Sequence, residues 1–211
     1  MKKELERRTY ECEVRADGEE GNIILGRPIV YGSWTNIGGY YDEIIEPGAL
    51  DRTDLRDVRF LVNHDMSKIP LARSRRNNAN STMQLLVDSQ GMSIRVVLDT
   101  ENNAEARALY SAVQRGDITG MSFAFSVSDE EWDDIDQEMP KRHIKGISSV
   151  VEVSAVTFPA YESTEIDARS KETLESARLA VETARQQREQ SVDTDLELAK
   201  AKFNFYKALR R

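Results

Sequence analysis

Gly120-Met121-Ser122-Phe123-Ala124-Phe125-Ser126-Val127-Ser128 is the stretch on which the reading of this chain turns. Large apolar side chains alternate with small ones at period two, the spacing of a half-buried strand. Met121, Phe123, Phe125 and Val127 form its core face. Ser122, Ala124, Ser126 and Ser128 form a face of small residues, where another chain has room to approach. A helix is predicted just upstream, over residues 104–114. It carries Ala104, Ala108, Leu109, Ala112 and Val113 on one side, and Gly116 stops it.

Outward from this segment, residues 9–160 read as β-rich. Strands are predicted over residues 9–15, 22–31, 40–45 and 58–62. Residues 83–87 and 92–98 form a hairpin around Asp88-Ser89-Gln90-Gly91, and residues 147–156 form the last strand, closed by Pro159. Gly26 and Pro28 mark a bulge or an edge in the second strand. Residues 46–50 read as a short helix, and the charged residues 129–142 as a surface loop. Both faces of 147–156 are mostly apolar, which predicts a central strand. Residues 164–211 differ in kind. Leu174, Ala177, Val181 and Ala184 recur at helical spacing, as do Leu196, Ala199, Phe203 and Tyr206. Ser191-Val192-Asp193-Thr194 separates the two stripes, and Thr194 with Glu197 fits a capping box. The expectation is an α+β, mainly β domain over residues 1–163. A tail of two amphipathic helices over 164–211 follows, as a helical hairpin or coiled-coil segment.

A chain of 211 residues suffices for one well-cored domain and an appendage. Its net charge of -8 argues against nucleic acid as a partner, since a binder would carry a basic surplus. The basic run Arg73-Ser74-Arg75-Arg76 reads most simply as a solvated loop. Cys12 stands alone, so no internal disulfide forms, and its alternation with Tyr10 and Val14 makes it a buried strand residue. No apolar run approaches the roughly 20 residues of a membrane span, and residues 1–8 lack the apolar stretch of a signal peptide. A soluble, intracellular protein is expected.

Three residues carry chemistry on or beside predicted strands: His64 in Asn63-His64-Asp65, Ser122, and Glu152 in Glu152-Val153-Ser154. They supply a hydroxyl nucleophile, a base to take its proton and an acid to orient the base. Only His64 and His143 compete for the base. Glu152 lies mid-strand among apolar residues, where a lone carboxylate needs a partner. Ser122 is not a nucleophile elbow, because Ala124 stands where that motif has glycine and a strand follows rather than a helix. Taken singly, these residues leave alternatives open. One is a Cys12–His64 nucleophile pair, and another is a carboxylate-pair hydrolase drawing on residues 129–136.

The order of the pieces resembles the tailed-phage prohead proteases, which mature capsids and are related in fold to the herpesvirus maturational proteases. The resemblance covers about residues 8–160. It rests on Tyr31-Gly32-Ser33, Glu46-Pro47-Gly48-Ala49-Leu50, Asn63-His64-Asp65, Pro70-Leu71-Ala72-Arg73, residues 115–123 and Glu152-Val153-Ser154-Ala155-Val156-Thr157-Phe158-Pro159-Ala160. It implies a compact antiparallel β-barrel, with Ser122 as nucleophile, His64 as general base and Glu152 as third member, and no cofactor. Ala72 and Ala124 depart from the family, which often has glycine there. Herpesvirus relatives use a second histidine as third member, so His143 is weighed against Glu152. Its setting, Lys141-Arg142-His143-Ile144-Lys145, reads as a basic, exposed loop end. Backbone N–H groups are the default oxyanion donors, with Arg73 or Arg142 as candidate helpers. The implied activity is endopeptidic. Its expected place is the host cytoplasm, inside the procapsid, and its expected substrates are scaffold or the scaffold-like segment of the major capsid protein, and the protease itself. Self-association is expected, and contact with nucleic acid or membrane is not. A non-catalytic scaffolding protein is the alternative.

Overall fold

The computed structural model describes residues 5–11, 14–17, 22–157 and 168–209, so Cys12 lies outside the described residues. In chain order the elements are β1 (Glu6–Glu11), β2 (Val14–Asp17), β3 (Ile23–Val30), β4 (Thr35–Ile37), β5 (Tyr41–Ile45), β6 (Asp57–Val62), β7 (Ala72–Arg75), β8 (Met83–Asp88) and β9 (Gly91–Val97). Then come α1 (Ala104–Arg115), β10 (Gly120–Asp133), β11 (Lys141–Val156) and α2 (Ala168–Leu209). The strands form two sheets. One runs β1-β10-β11-β5-β4, with β6 beside β11 and β7 beside β6; the other runs β2-β3-β9-β8. β11 is central, pairing antiparallel with β10 and parallel with both β5 and β6, as its two apolar faces predict.

One apolar core joins both sheets and α1. Met121, Phe123 and Phe125 of β10 meet Ile24 and Ile29 of β3, Ile94 and Val96 of β9, Phe60 of β6, and Leu109 and Val113 of α1. The helix is bounded as its sequence predicts. The Asn103 side chain accepts from the N–H groups of Glu105 and Ala106, and Gly116 closes the other end with φ 78°. The expected bulge in β3 is present as a register shift between Gly26 and Ile29.

Several expectations are corrected. The two sheets do not close into a barrel among the described residues: β1 and β2 lie in different sheets, and the long sheet ends in the three-residue β4. Residues 46–50 form successive turns, because Gly48 takes φ 87°, which a helix cannot continue through. Half of residues 129–142 lie in the strands of a long β10–β11 hairpin, 129–133 in β10 and 141–142 in β11. Its charged side chains pair across the strands, Glu130 with Arg142 and Glu131 with Lys145, and such pairs stabilise a ladder as apolar ones do. Finally, α2 is a single 42-residue helix. Ser191 Oγ donates to the Arg188 carbonyl at 2.7 Å and Thr194 Oγ1 to the Gln190 carbonyl at 2.8 Å. These hydroxyls are satisfied inside the helix instead of capping a new one. The helix docks through Ala177, Val181 and Ala184 onto Ile37, Tyr41, Trp132 and Ile135. Arg185 adds bonds to the carbonyls of Ile135 and Gln137 at 2.9 and 3.0 Å.

β1 is held by charge. Arg8 donates from Nε and Nη2 to the Glu43 carboxylate at 2.6 and 2.7 Å, and Arg142 donates to Glu6 at 2.6 and 2.8 Å and to Glu43 at 2.9 Å. Arg8, Glu43 and Arg142 are all buried. Burial pushes the Glu6 carboxyl up, but the hydrogen bond from Arg142 and the charges of Arg8 and Arg142 outweigh it. They bring it from 4.5 to about 2. A depressed carboxyl stabilises the fold above its unfolded value and loses that contribution as the pH falls through its folded value, here a depression worth about 3 kcal/mol. Glu6→Gln is therefore expected to destabilise the protein at pH 7 by up to about 3 kcal/mol. The deficit should shrink between pH 4.5 and 2, as followed by urea unfolding at stepped pH; a constant deficit would refute the assignment.

Candidate active site

The ladder sets the site. On β10, Ser122 lies opposite Ser154 of β11 and Ala124 opposite Glu152. The next matched pair is Phe125 with Val150, so Val151 is an extra residue on β11. This bulge restarts the alternation: Val150 and Val153 both face the core, while Glu152 stays on the side of Ser122. β6 runs parallel to β11 with Leu61 opposite Ser154, so its end arrives beside the same residues. The chain there turns through Asn63 and His64, both left-handed at φ 51° and 59°. Asparagine tolerates this region; for most residues it is costly. The turn is tied down on both sides. Asn63 N–H donates to the Ala155 carbonyl at 3.0 Å, and Asn63 Oδ1 accepts from the Thr157 N–H at 3.0 Å.

This swings the imidazole between the other two side chains. His64 Nδ1 lies 2.5 Å from Glu152 Oε1, and His64 Nε2 lies 2.6 Å from Ser122 Oγ. The geometry suits the tautomer in which Nδ1–H donates to the carboxylate and Nε2 accepts from the serine. Ser122 and Glu152 have no exposed surface, and the His64 side chain retains 16 %. Two residues of β1 also reach the serine: Thr9 Oγ1 donates to Ser122 Oγ at 2.9 Å, and the Arg8 carbonyl lies 2.7 Å away as an acceptor. The single hydroxyl hydrogen thus has two acceptors, His64 Nε2 and the Arg8 carbonyl. Beside the His64 turn opens a cleft of about 400 Å³, with Leu61, Asn63, Asp65, Leu71, Leu109 and Ile118 among its walls.

The other candidates lie elsewhere. His143 is near the far end of β11. It is half-buried rather than exposed, with Nδ1 2.7 Å from Glu46 Oε1, Nε2 3.3 Å from Asp133 Oδ2, and Trp34 edge-on to its ring. Its expected cationic neighbourhood is offset by these carboxylates. Arg142 is engaged by Glu6, Glu43 and Glu130, and Arg73 by Asp57 at 2.5 and 2.7 Å. The basic run is not a loop, since Arg73 to Arg75 form β7. In the acidic run, Glu130, Glu131, Asp133 and Asp136 each face a cation or the His143 ring rather than one another. Among the described residues no cluster of three His, Cys, Asp or Glu side chains is arranged to hold a metal ion. None of the described helices is long and apolar enough to cross a membrane. Sequence reasoning gave no role to Thr9, Arg8 or Ser154. Ser154 alone left a signal, two residues from Glu152 on the same strand.

A family model described as caudovirus prohead serine protease matches residues 9–178, from β1 into the start of α2. The prohead protease of Enterobacteria phage HK97 is 30% identical over 172 residues, which cover 80% of this chain and 69% of that protein. No solved structure matches the chain. The family match spans both sheets and all three residues of the hydrogen-bonded serine, histidine and glutamate, and with the phage relative it fixes the lineage: this chain belongs to the caudovirus prohead serine proteases, and is a capsid-maturation protease.

Proposed function

We propose that Ser122, His64 and Glu152 are the catalytic triad of this protease. The observation that carries the proposal is the imidazole bonded at both nitrogens, at 2.5 Å to the carboxylate and 2.6 Å to the hydroxyl. His64 Nε2 takes the Ser122 proton as Oγ attacks the scissile carbonyl carbon. Glu152 holds the Nδ1–H tautomer and stabilises the imidazolium that forms. The imidazolium then gives its proton to the departing amine nitrogen, leaving an acyl-enzyme. A water, deprotonated by the same nitrogen, attacks the ester carbonyl carbon; the bond to Ser122 Oγ breaks, the imidazolium returns its proton to Oγ, and the new carboxyl terminus leaves.

The substrates we propose are scaffold or the scaffold-like segment of the major capsid protein, cut within the procapsid, and the protease itself. The family and the phage relative support this reading. We assign the C-terminal part of α2, residues 189–209, to self-association or incorporation into the procapsid. Co-expression with the cognate capsid protein tests both proposals. Fragment masses should show discrete cuts in the capsid protein and in the protease, and the full chain, but not one ending at Arg188, should sediment with the particles. Intact capsid protein throughout would favour a scaffolding role instead.

A further inference from the structure

We infer that Ser154 is a positioning residue for the triad, a role that rests on the protease reading of the site. Its hydroxyl has one hydrogen to give and lone pairs to accept with, and both capacities are used on the proposed machinery. Ser154 Oγ donates to Glu152 Oε2 at 2.6 Å, and accepts from the His64 backbone N–H at 3.1 Å. Glu152 Oε1 faces the imidazole, so each carboxylate oxygen has a named partner. Ser154 and Glu152 have no exposed surface, which leaves no solvent contact to replace the serine.

The ladder explains why this position does the work. Ser154 stands opposite Ser122 on one side and Leu61 on the other. It therefore touches in register both the strand that carries the nucleophile and the strand that ends in the base. One hydroxyl fixes the rotation of the carboxylate and the backbone of a histidine held at φ 59°. Without it, Oε2 is left buried without its donor, and the carboxylate is free to turn away from Nδ1. Small losses of alignment in a proton-transfer chain cost rate more than binding; groups that orient metal-bound histidines contribute about 10- to 100-fold, and an effect on that scale is expected here.

The test uses the full chain with Ser154→Ala, Ser154→Cys and Ser154→Thr, and Ser122→Ala as the inert control. Three quantities are read: the melting temperature, kcat and KM on a capsid-protein substrate, and the low-field proton resonance of the short His64–Glu152 hydrogen bond without substrate. In Ser154→Ala, kcat should fall about 10- to 100-fold with KM within twofold, and the low-field signal should broaden or vanish. Ser154→Cys, close in size but a weak donor, should behave likewise. Ser154→Thr, which keeps the hydroxyl, should restore both readouts. Ala and Cys variants that fold and keep wild-type kcat and the low-field signal would overturn the assignment and leave Ser154 a structural serine. If Ser154→Ala does not fold, the Cys variant decides alone. A wild type as inert as Ser122→Ala would refute the protease reading, while the proton signal would still decide the role of Ser154.

Discussion

Replacing Ser122 by alanine is expected to abolish cleavage of capsid protein and of the chain itself while leaving the fold intact. The rate loss should be about 10⁴- to 10⁶-fold, because the hydroxyl is the atom that attacks. The stability cost should be near 1 kcal/mol, since one hydroxyl is exchanged for hydrogen on a face of small side chains. Thr9 loses an acceptor and the Arg8 carbonyl a donor, and both belong to a strand otherwise anchored by its ion pairs. Fragment masses and a thermal melt, read on one preparation, check both halves. Undiminished proteolysis by the purified variant would sink the assignment.

Glu152→Gln should be nearly as damaging, lowering kcat by about 10⁴-fold. The surroundings dictate how the amide would sit. Ser154 Oγ already accepts from the His64 backbone and gives its hydrogen toward Oε2, so the amide oxygen takes that position and the NH₂ group faces the imidazole. Nδ1 must then accept, the ring hydrogen moves to Nε2, and a base that should accept from Ser122 becomes a donor toward it. His143→Ala, by contrast, should keep most activity, because that ring is engaged with Glu46 and Asp133 at the other end of β11. Initial rates on capsid protein compare the two. The reverse ranking would transfer the third role to His143.

Strong periodicity made part of this molecule readable. The 3.6-residue stripe of α1, the alternation of β10 and the hairpin of β8 and β9 are each visible in the order of apolar residues alone. The outer half of the β10–β11 hairpin was not, because its ladder is held by Glu130, Glu131, Arg142 and Lys145, whose composition is that of a solvated loop. Nor was the extra residue at Val151. Strict alternation places Val150 on the side of Glu152, whereas the bulge sends Val150 to the core with Val153. Bulges carry little sequence signature and often re-aim a side chain beside a site. Glu152 stood out because a mid-strand carboxylate among apolar residues needs a partner, and His64 because the chain has only two histidines. Ser122, small and polar on a face of small residues, stood out only through the order of the motifs around it, and Thr9 and Ser154 carry no such marker.

The burial of Ser122 also bears on how its reactivity can be measured. A hydroxyl with no exposed surface, touched by Thr9 and the Arg8 carbonyl, meets an external electrophile only in conformations where those atoms have moved aside. A fluorophosphonate probe would therefore report the frequency of opening as well as nucleophilicity. With reclosing faster than reaction, labelling follows the equilibrium population of the open form; with reaction faster, it levels off at the opening rate whatever the probe concentration. The plateau labelling rate reached at high probe concentration would then measure how often the serine is uncovered.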